Sequence, residues 1–207
     1  MSGREYRQLY LKKDAFAGIR AATIALAVLM AVMSALGLFF TDSIYTAPDQ
    51  VQSYRANDLL NLTIGLPVLL AAMQLAGRGR LTGLLFWPGS ILYVLYNYTA
   101  LLVGVPLGWP SLPYAVLVIL SVYLLAALLR SMDAEALQKR LTGVIHERLS
   151  GGILVLFGVG FFFLAAQVVH GAASGEMVTR PDIGLAAADI LLCTMLLFGG
   201  ILLMLRR

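Results

Sequence analysis

Six long apolar runs alternate with short polar gaps along the chain. The hydrocarbon core of a bilayer is about 30 Å thick, so a helix that crosses it needs about 20 mostly apolar residues. Each run has that length, and each is therefore predicted to be a transmembrane helix. The pattern predicts an all-α, polytopic membrane helix bundle with six transmembrane helices. The predicted spans are about 17–40, 58–77, 82–104, 111–130, 151–172 and 184–205.

Two shorter segments outside the runs have apolar residues on one helical side only. These segments are about 3–16 and 133–149, and both also contain basic residues. This pattern is typical of helices that lie along a membrane surface, here the cytoplasmic one. A docking surface for a partner subunit is the alternative for 133–149. The gaps are too short to build a core of their own, so residues 1–207 are predicted to form a single transmembrane domain.

Positive charges follow the gaps in alternation. Of the 15 Lys and Arg residues, 13 lie in the N-terminal segment, the second and fourth gaps and the C-terminal tail. The other three gaps contain only Arg55 and Arg180. Because basic loops stay in the cytoplasm, both termini are predicted to be cytoplasmic, which requires an even number of spans. The first run is too long for a cleaved signal sequence, so we expect it to remain as a span.

Composition supports a membrane location and limits the partners. Hydrophobic residues make up 60% of the chain and charged residues 13%, against about 45–50% and about 25% in soluble domains. The net charge of +4 follows from the basic cytoplasmic loops and does not indicate a nucleic-acid partner. The expected location is the inner (plasma) membrane of a prokaryotic cell, with the lipid bilayer as the main partner. The single cysteine, Cys193, excludes an intrachain disulfide.

Polar side chains inside the predicted spans concentrate in their outer halves. Lipid makes such groups costly, so they usually face the interior of a bundle or a cavity. With the predicted orientation, four spans carry them at a similar depth, whereas the inner halves are almost purely apolar. We therefore predict an outward-facing polar pocket that binds a small molecule. Its candidate ligand-binding residues are Asp58, Asn61, Tyr93, Tyr96, Asn97, Gln167, His170 and Asp189.

Some of these residues also have a structural interpretation. Asp58 fits an N-cap of the second helix, where a carboxylate complements the helix dipole. Asn61 and Asn97 fit hydrogen bonds between helices. Tyr93 and Tyr96 lie too deep for the aromatic belt at the membrane interface.

Asp189 is the polar residue that most needs an explanation. It lies within an apolar run and requires a partner or a protonated state. A buried pair with Arg180, His170 or an asparagine would supply that partner, and a role in ligand binding is the alternative. His170 by itself also fits a solvated position near a loop.

No known catalytic motif occurs in the sequence. His146-Glu147 lacks the second histidine of the H-E-x-x-H zinc motif, and neither a G-x-S-x-G elbow nor a P-loop is present. The two histidines are predicted on opposite sides of the membrane, which excludes a haem held by paired histidines. No metal, cofactor or enzymatic activity is therefore predicted.

Two classes of function remain after this exclusion. The first is a small-molecule binding or transport component, and the second is a non-catalytic structural or accessory subunit of a larger membrane complex. Small residues at four-residue spacing, Ala17, Ala21 and Ala25, allow close helix packing, either within the chain or with a membrane protein partner or a second copy. The span count, the basic inner loops and this spacing resemble the substrate-binding membrane components of energy-coupling-factor transporters. That resemblance implies that the three alanines contact a shared transmembrane partner.

Residues 58–130 carry a second resemblance. The recognisable pieces are Asp58-Leu59-Leu60, Gly65-Leu66-Pro67, Arg78-Gly79-Arg80 and Leu95-Tyr96-Asn97-Tyr98. Together they resemble a family of uncharacterised prokaryotic multi-span integral membrane proteins. The resemblance implies a multi-span membrane fold and implies no particular activity or substrate.

Overall fold

The computed structural model describes residues 13–133, 137–138 and 146–205, and within them the secondary structure is helical. A π-helical segment, Asn61–Gly65, joins the helix Pro48–Leu60 to the helix Leu66–Gly77 without a break. The two predicted surface helices, about 3–16 and 133–149, fall largely outside the described residues. The helices are α1 Lys13–Phe39, α2 Thr41–Ile44, α3 Pro48–Leu60, α4 Leu66–Gly77, α5 Leu81–Gly104, α6 Ser111–Ser131, α7 Glu147–Ala173 and α8 Arg180–Leu205.

Five helical stretches are long and apolar enough to cross a membrane, which indicates a multi-pass membrane protein. The remaining predicted span, 82–104, corresponds to α5. This helix has 24 residues, but it is not among the five apolar stretches, because it contains Pro88 and several tyrosines and other polar residues. The five stretches are Phe16–Phe39, Pro48–Gly77, Ser111–Ser131, Glu147–Ala173 and Arg180–Leu205.

Helix α5 lies at the centre of the bundle, where it contacts α4, α6 and α8. Trp87, Ile91, Val94 and Tyr98 on this helix are fully buried. A helix surrounded by other helices can carry polar side chains at low cost, because they find hydrogen-bonding partners instead of lipid. The central position of α5 therefore accounts for its tyrosines and other polar residues.

The second span begins earlier than its apolar run. The run predicts 58–77, but the helix starts at Pro48, whose missing N–H suits a first helical turn. The predicted polar gap of 41–57 is therefore mostly helical, and the interpretation of Asp58 as an N-cap is wrong. The π-helical turn lies just before Pro67, which has no N–H to donate to a preceding carbonyl.

The described connections lie at two opposite ends of the bundle. At one end, the Trp109 Nε1–H donates to the carbonyl of Ser43 over 3.3 Å, and Tyr54 approaches the Pro181 carbonyl at 3.5 Å. At the other end, Phe16 and Arg78 line a common cavity. We call these the Trp109 end and the Arg78 end.

Helix α7 packs chiefly on α8 through glycines. A Cβ atom at Gly151 would lie 2.7 Å from the Gly200 carbonyl oxygen, and one at Gly158 would lie 2.8 Å from Leu197. Only glycine permits this approach of the two backbones. The rest of α7 is largely exposed and apolar, as expected for a helix at the lipid-facing edge of a bundle.

Candidate functional site

A buried hydrogen-bond network connects α1, the π-helical segment and α5. The Asn61 side-chain amide donates to Ser34 Oγ over 3.1 Å, and its carbonyl oxygen accepts from the Tyr93 hydroxyl over 2.9 Å. Ser34 Oγ also lies 3.1 Å from the Tyr98 hydroxyl, which is 3.2 Å from the Met30 carbonyl. Asn61 thus links two neighbouring spans.

The local backbone explains why Asn61 and Tyr93 meet. Asn61 opens the π-helical segment and Gly65 ends it, so the extra residue per turn rotates this part of the second span relative to α3. A Cβ atom at Gly65 would lie 2.7 Å from the Tyr93 ring and 2.9 Å from Met30. The Asn97 amide donates to the Tyr93 carbonyl over 3.0 Å within α5. A glycine on one helix therefore makes room for the tyrosine of the next.

Asp58 lies one turn from Asn61 and is only 2% exposed. Its Oδ2 atom accepts a 2.6 Å hydrogen bond from the Tyr45 hydroxyl, which reaches it from the short connection between α2 and α3. A Cβ atom at Gly37 of α1 would overlap the Asp58 carboxylate. Gly37 thus provides the space that the carboxyl group occupies.

Tyr45 lies outside the membrane-spanning segments. Burial, and secondly the neighbouring Asp58 carboxylate, raise the pKa of the Tyr45 hydroxyl well above its usual value. The hydroxyl therefore keeps its proton at physiological pH and remains the donor to Asp58.

Asp189 on α8 forms a separate pair with α5. Its Oδ1 atom accepts a 2.9 Å hydrogen bond from the Tyr96 hydroxyl, and the Tyr96 ring meets Phe161 of α7 edge to face at 6.2 Å. Asp189 is 6% exposed. Asp189 thus has the partner that its position in an apolar run requires. That partner is Tyr96, and not Arg180, His170 or an asparagine.

A groove of about 680 Å³ lies beside the Asn61–Tyr93 bond, between the second span and α5. Its walls are mainly exposed apolar side chains, of which Phe86 is 64% exposed. A Cβ atom at Gly89 would meet no other atom within 4 Å, so this glycine faces open space. The lining residues are Leu60, Ile64, Gly65, Val68, Leu85, Phe86, Gly89, Ser90 and Tyr93. Because Leu60 to Val68 belong to a membrane-spanning stretch, the groove lies at membrane depth.

The structure gathers most of the predicted site residues in two places. Asp58, Asn61, Tyr93 and Asn97 lie around the network, and Tyr96 and Asp189 form the pair on the other side of α5. Gln167 and His170 are exposed on α7 and make no side-chain hydrogen bond within the described residues. Ala17, Ala21 and Ala25 on α1 are also exposed. The buried side of α1 includes Ile19, Thr23 and Leu26.

Four important partners were not among the predicted site residues. Ser34 and Gly37 are inconspicuous in the first apolar run, and Tyr45 lies in a connection. Tyr98 was named only as part of a family resemblance, although it is fully buried. The only local sequence signal was the isolated Ser34 in an otherwise apolar stretch.

The chemistry of the site is that of a closed network beside an apolar groove. The buried polar atoms of Asp58, Asn61 and Asp189 named above already have protein partners. Among the described residues no group of three His, Cys, Asp or Glu side chains is placed to hold a metal ion. Comparison with protein-family models, with curated proteins and with solved structures finds no match to this chain.

Proposed function

We propose that the protein is a small-molecule binding or transport component that takes an apolar or amphipathic molecule into the groove beside Tyr93. The groove is the observation that supports this proposal. Small-molecule pockets commonly enclose about 300–1,000 Å³, with mostly apolar walls and a few polar groups. The groove has a volume of about 680 Å³, and Ser90 and Tyr93 are the only polar side chains among its described lining residues, so it has both properties.

The hydrogen bonds at the groove indicate what kind of ligand fits. Tyr93 donates its only hydroxyl proton to Asn61, and Ser90 donates its proton to the Phe86 carbonyl. Each hydroxyl oxygen retains a lone pair that can accept a hydrogen bond. The proposed ligand therefore has an apolar body and at least one hydrogen-bond donor.

We further propose six spans, made up of the five apolar stretches and α5, with both termini in the cytoplasm of a prokaryotic cell. The opposite ends at which the described connections lie and the alternating positive charge support this topology. Reporter fusions within 105–110 should report the outside and fusions after Arg80 the inside. The same location for both positions would contradict the topology.

Gly89→Leu tests the groove directly. The change places four carbon atoms into open space, and it exchanges a poor helix former for a good one. Gly160→Leu on α7 is the matched control, because Gly160 is also exposed and also has no atom within 4 Å of a built Cβ. Both variants should fold as well as the natural protein.

The readout is the set of small molecules that remain with the protein after purification in mild detergent, identified by mass spectrometry. We expect the natural protein and Gly160→Leu each to retain one apolar or amphipathic molecule at a molar ratio near one. Gly89→Leu should retain at least about tenfold less of this molecule. Equal retention by all three proteins would contradict ligand binding in the groove.

A role as an accessory subunit is the second candidate. Ala17, Ala21 and Ala25 lie exposed instead of packing within the chain, which leaves a small-residue face for another transmembrane helix. This candidate predicts that a membrane protein co-purifies in fixed ratio and that Ala21→Leu releases it. A monomer that purifies without a partner would count against it.

A further inference from the structure

A second cavity, at the Arg78 end, is independent of the groove. It encloses about 270 Å³ and lies between the start of α1 and the end of α4. Its lining residues are Phe16, Arg20, Met73, Gln74, Gly77 and Arg78. The described lining residues thus include two arginines and no carboxylate.

No carboxylate of the part of the chain that the structure describes neutralises the two arginines. Both side chains are exposed, and within the described residues neither forms an ion pair with a carboxylate. Two guanidinium groups beside one small cavity repel each other, and an anion bound between them removes that repulsion. Their planar forks of N–H donors match the several oxygens of a phosphate group.

The backbone holds Arg78 at the edge of this cavity. The N–H groups of Arg78 and Arg80 donate to the Gln74 and Leu75 carbonyls, both over 3.1 Å or less, and Gly79 adopts a positive φ of 76°. The turn therefore occupies the carbonyl groups at the end of α4. Their partial negative charge is reduced where an anion would bind.

The position of the cavity indicates the source of the phosphate. Two membrane-spanning stretches meet here, since Phe16 begins one and Gly77 ends the other. The cavity therefore lies at the membrane boundary, where lipid headgroups are found. Phe16 and Met73 give it an apolar side next to the arginines. Basic pockets between helix ends commonly hold anionic headgroups.

We propose that Arg20 and Arg78 bind the phosphate of an anionic phospholipid headgroup in this cavity. The cavity is separate from the groove, so this proposal does not depend on ligand binding in the groove.

The test measures thermal unfolding of the full chain in detergent while phosphatidylglycerol or phosphatidylcholine with identical acyl chains is titrated. Inorganic phosphate is titrated in a third arm. The variants are Arg20→Gln, Arg78→Gln and Arg78→Lys. Arg80→Gln is the matched control, since Arg80 is exposed in the same turn but does not line the cavity.

We expect phosphatidylglycerol to raise the unfolding temperature of the natural protein and of Arg80→Gln, with phosphatidylcholine much weaker. Arg20→Gln and Arg78→Gln should each raise the half-saturating lipid concentration by at least about tenfold, because each removes a charge-assisted contact. Arg78→Lys should have a half-saturating lipid concentration between those of the natural protein and Arg78→Gln, since lysine keeps the charge and lacks the planar fork of N–H donors.

Three results would overturn the proposal. One is equal protection by the two lipids, and another is an Arg80→Gln effect as large as that of Arg20→Gln. The third is protection by inorganic phosphate as strong as by lipid, which would assign the arginines to a soluble phosphate. If a glutamine variant fails to fold, the comparison of the two lipids and the phosphate arm on the natural protein still decides.

Discussion

Replacing Ser34 by alanine tests whether the buried network stabilises the bundle. Ser34 Oγ accepts the Asn61 amide proton at 3.1 Å and lies at the same distance from the Tyr98 hydroxyl. The change adds no bulk and removes a single oxygen atom. It leaves the Asn61 donor without its acceptor, whereas Tyr98 keeps the Met30 carbonyl.

The expected loss can be bounded from these contacts. A stranded buried donor costs roughly 1–3 kcal/mol. Hydrogen bonds between membrane helices contribute on average about 0.6 and at most about 1.7 kcal/mol. With one donor stranded and one tyrosine retaining a partner, we expect Ser34→Ala to lower the free energy of unfolding by about 1–2 kcal/mol.

Ser121→Ala is the matched control on α6. Ser121 is also fully buried, but its hydroxyl has no hydrogen-bond partner within the described residues. Removing it strands nothing and relieves a buried polar group, so stability should stay within about 0.5 kcal/mol or rise. Both variants are compared by unfolding in mixed micelles with increasing dodecyl sulfate. Equal losses for the two serines, or no loss for Ser34→Ala, would refute the reasoning.

The remaining predictions concern the two carboxylates and use the same unfolding assay. Gly37→Ala should lower the free energy of unfolding by about 1–3 kcal/mol, because its Cβ overlaps the Asp58 carboxylate. Gly18→Ala, where a Cβ meets open space, should not lower it. Equal effects of the two changes would contradict the close packing at Gly37. Tyr96→Phe should cost about 1–3 kcal/mol because it removes the donor to Asp189. Adding Asp189→Asn should restore part of that loss, and no recovery would argue against the pair.

The apolar runs predict the long helices well because lipid-facing helices need few polar residues. The run at 111–130 corresponds to Ser111–Ser131, and the run at 184–205 to Arg180–Leu205. Helix α3 could not be found this way, because its buried side consists of Gln50, Tyr54 and Asp58. Those residues become buried only when other helices surround them, so their sequence indicates a polar loop.

The sequence predicts at what depth in the membrane the candidate residues lie, but not the direction in which each helix turns their side chains. The charge pattern gave Asn61, Tyr93 and His170 a similar depth, yet depth does not fix the direction in which each side chain points. The structure turns Asn61 and Tyr93 towards each other and leaves His170 exposed. Partners such as Ser34 come from a different helix, and no spacing within the sequence connects them.

A structure of the purified protein in lipid nanodiscs, determined by electron cryomicroscopy, tests the central claim most directly. We expect elongated non-protein density in the groove against Gly89, Ser90 and Tyr93 in the natural protein, and none in Gly89→Leu. A groove closed by its own side chains, or filled by a helix of another protein or a second copy, would contradict small-molecule binding there.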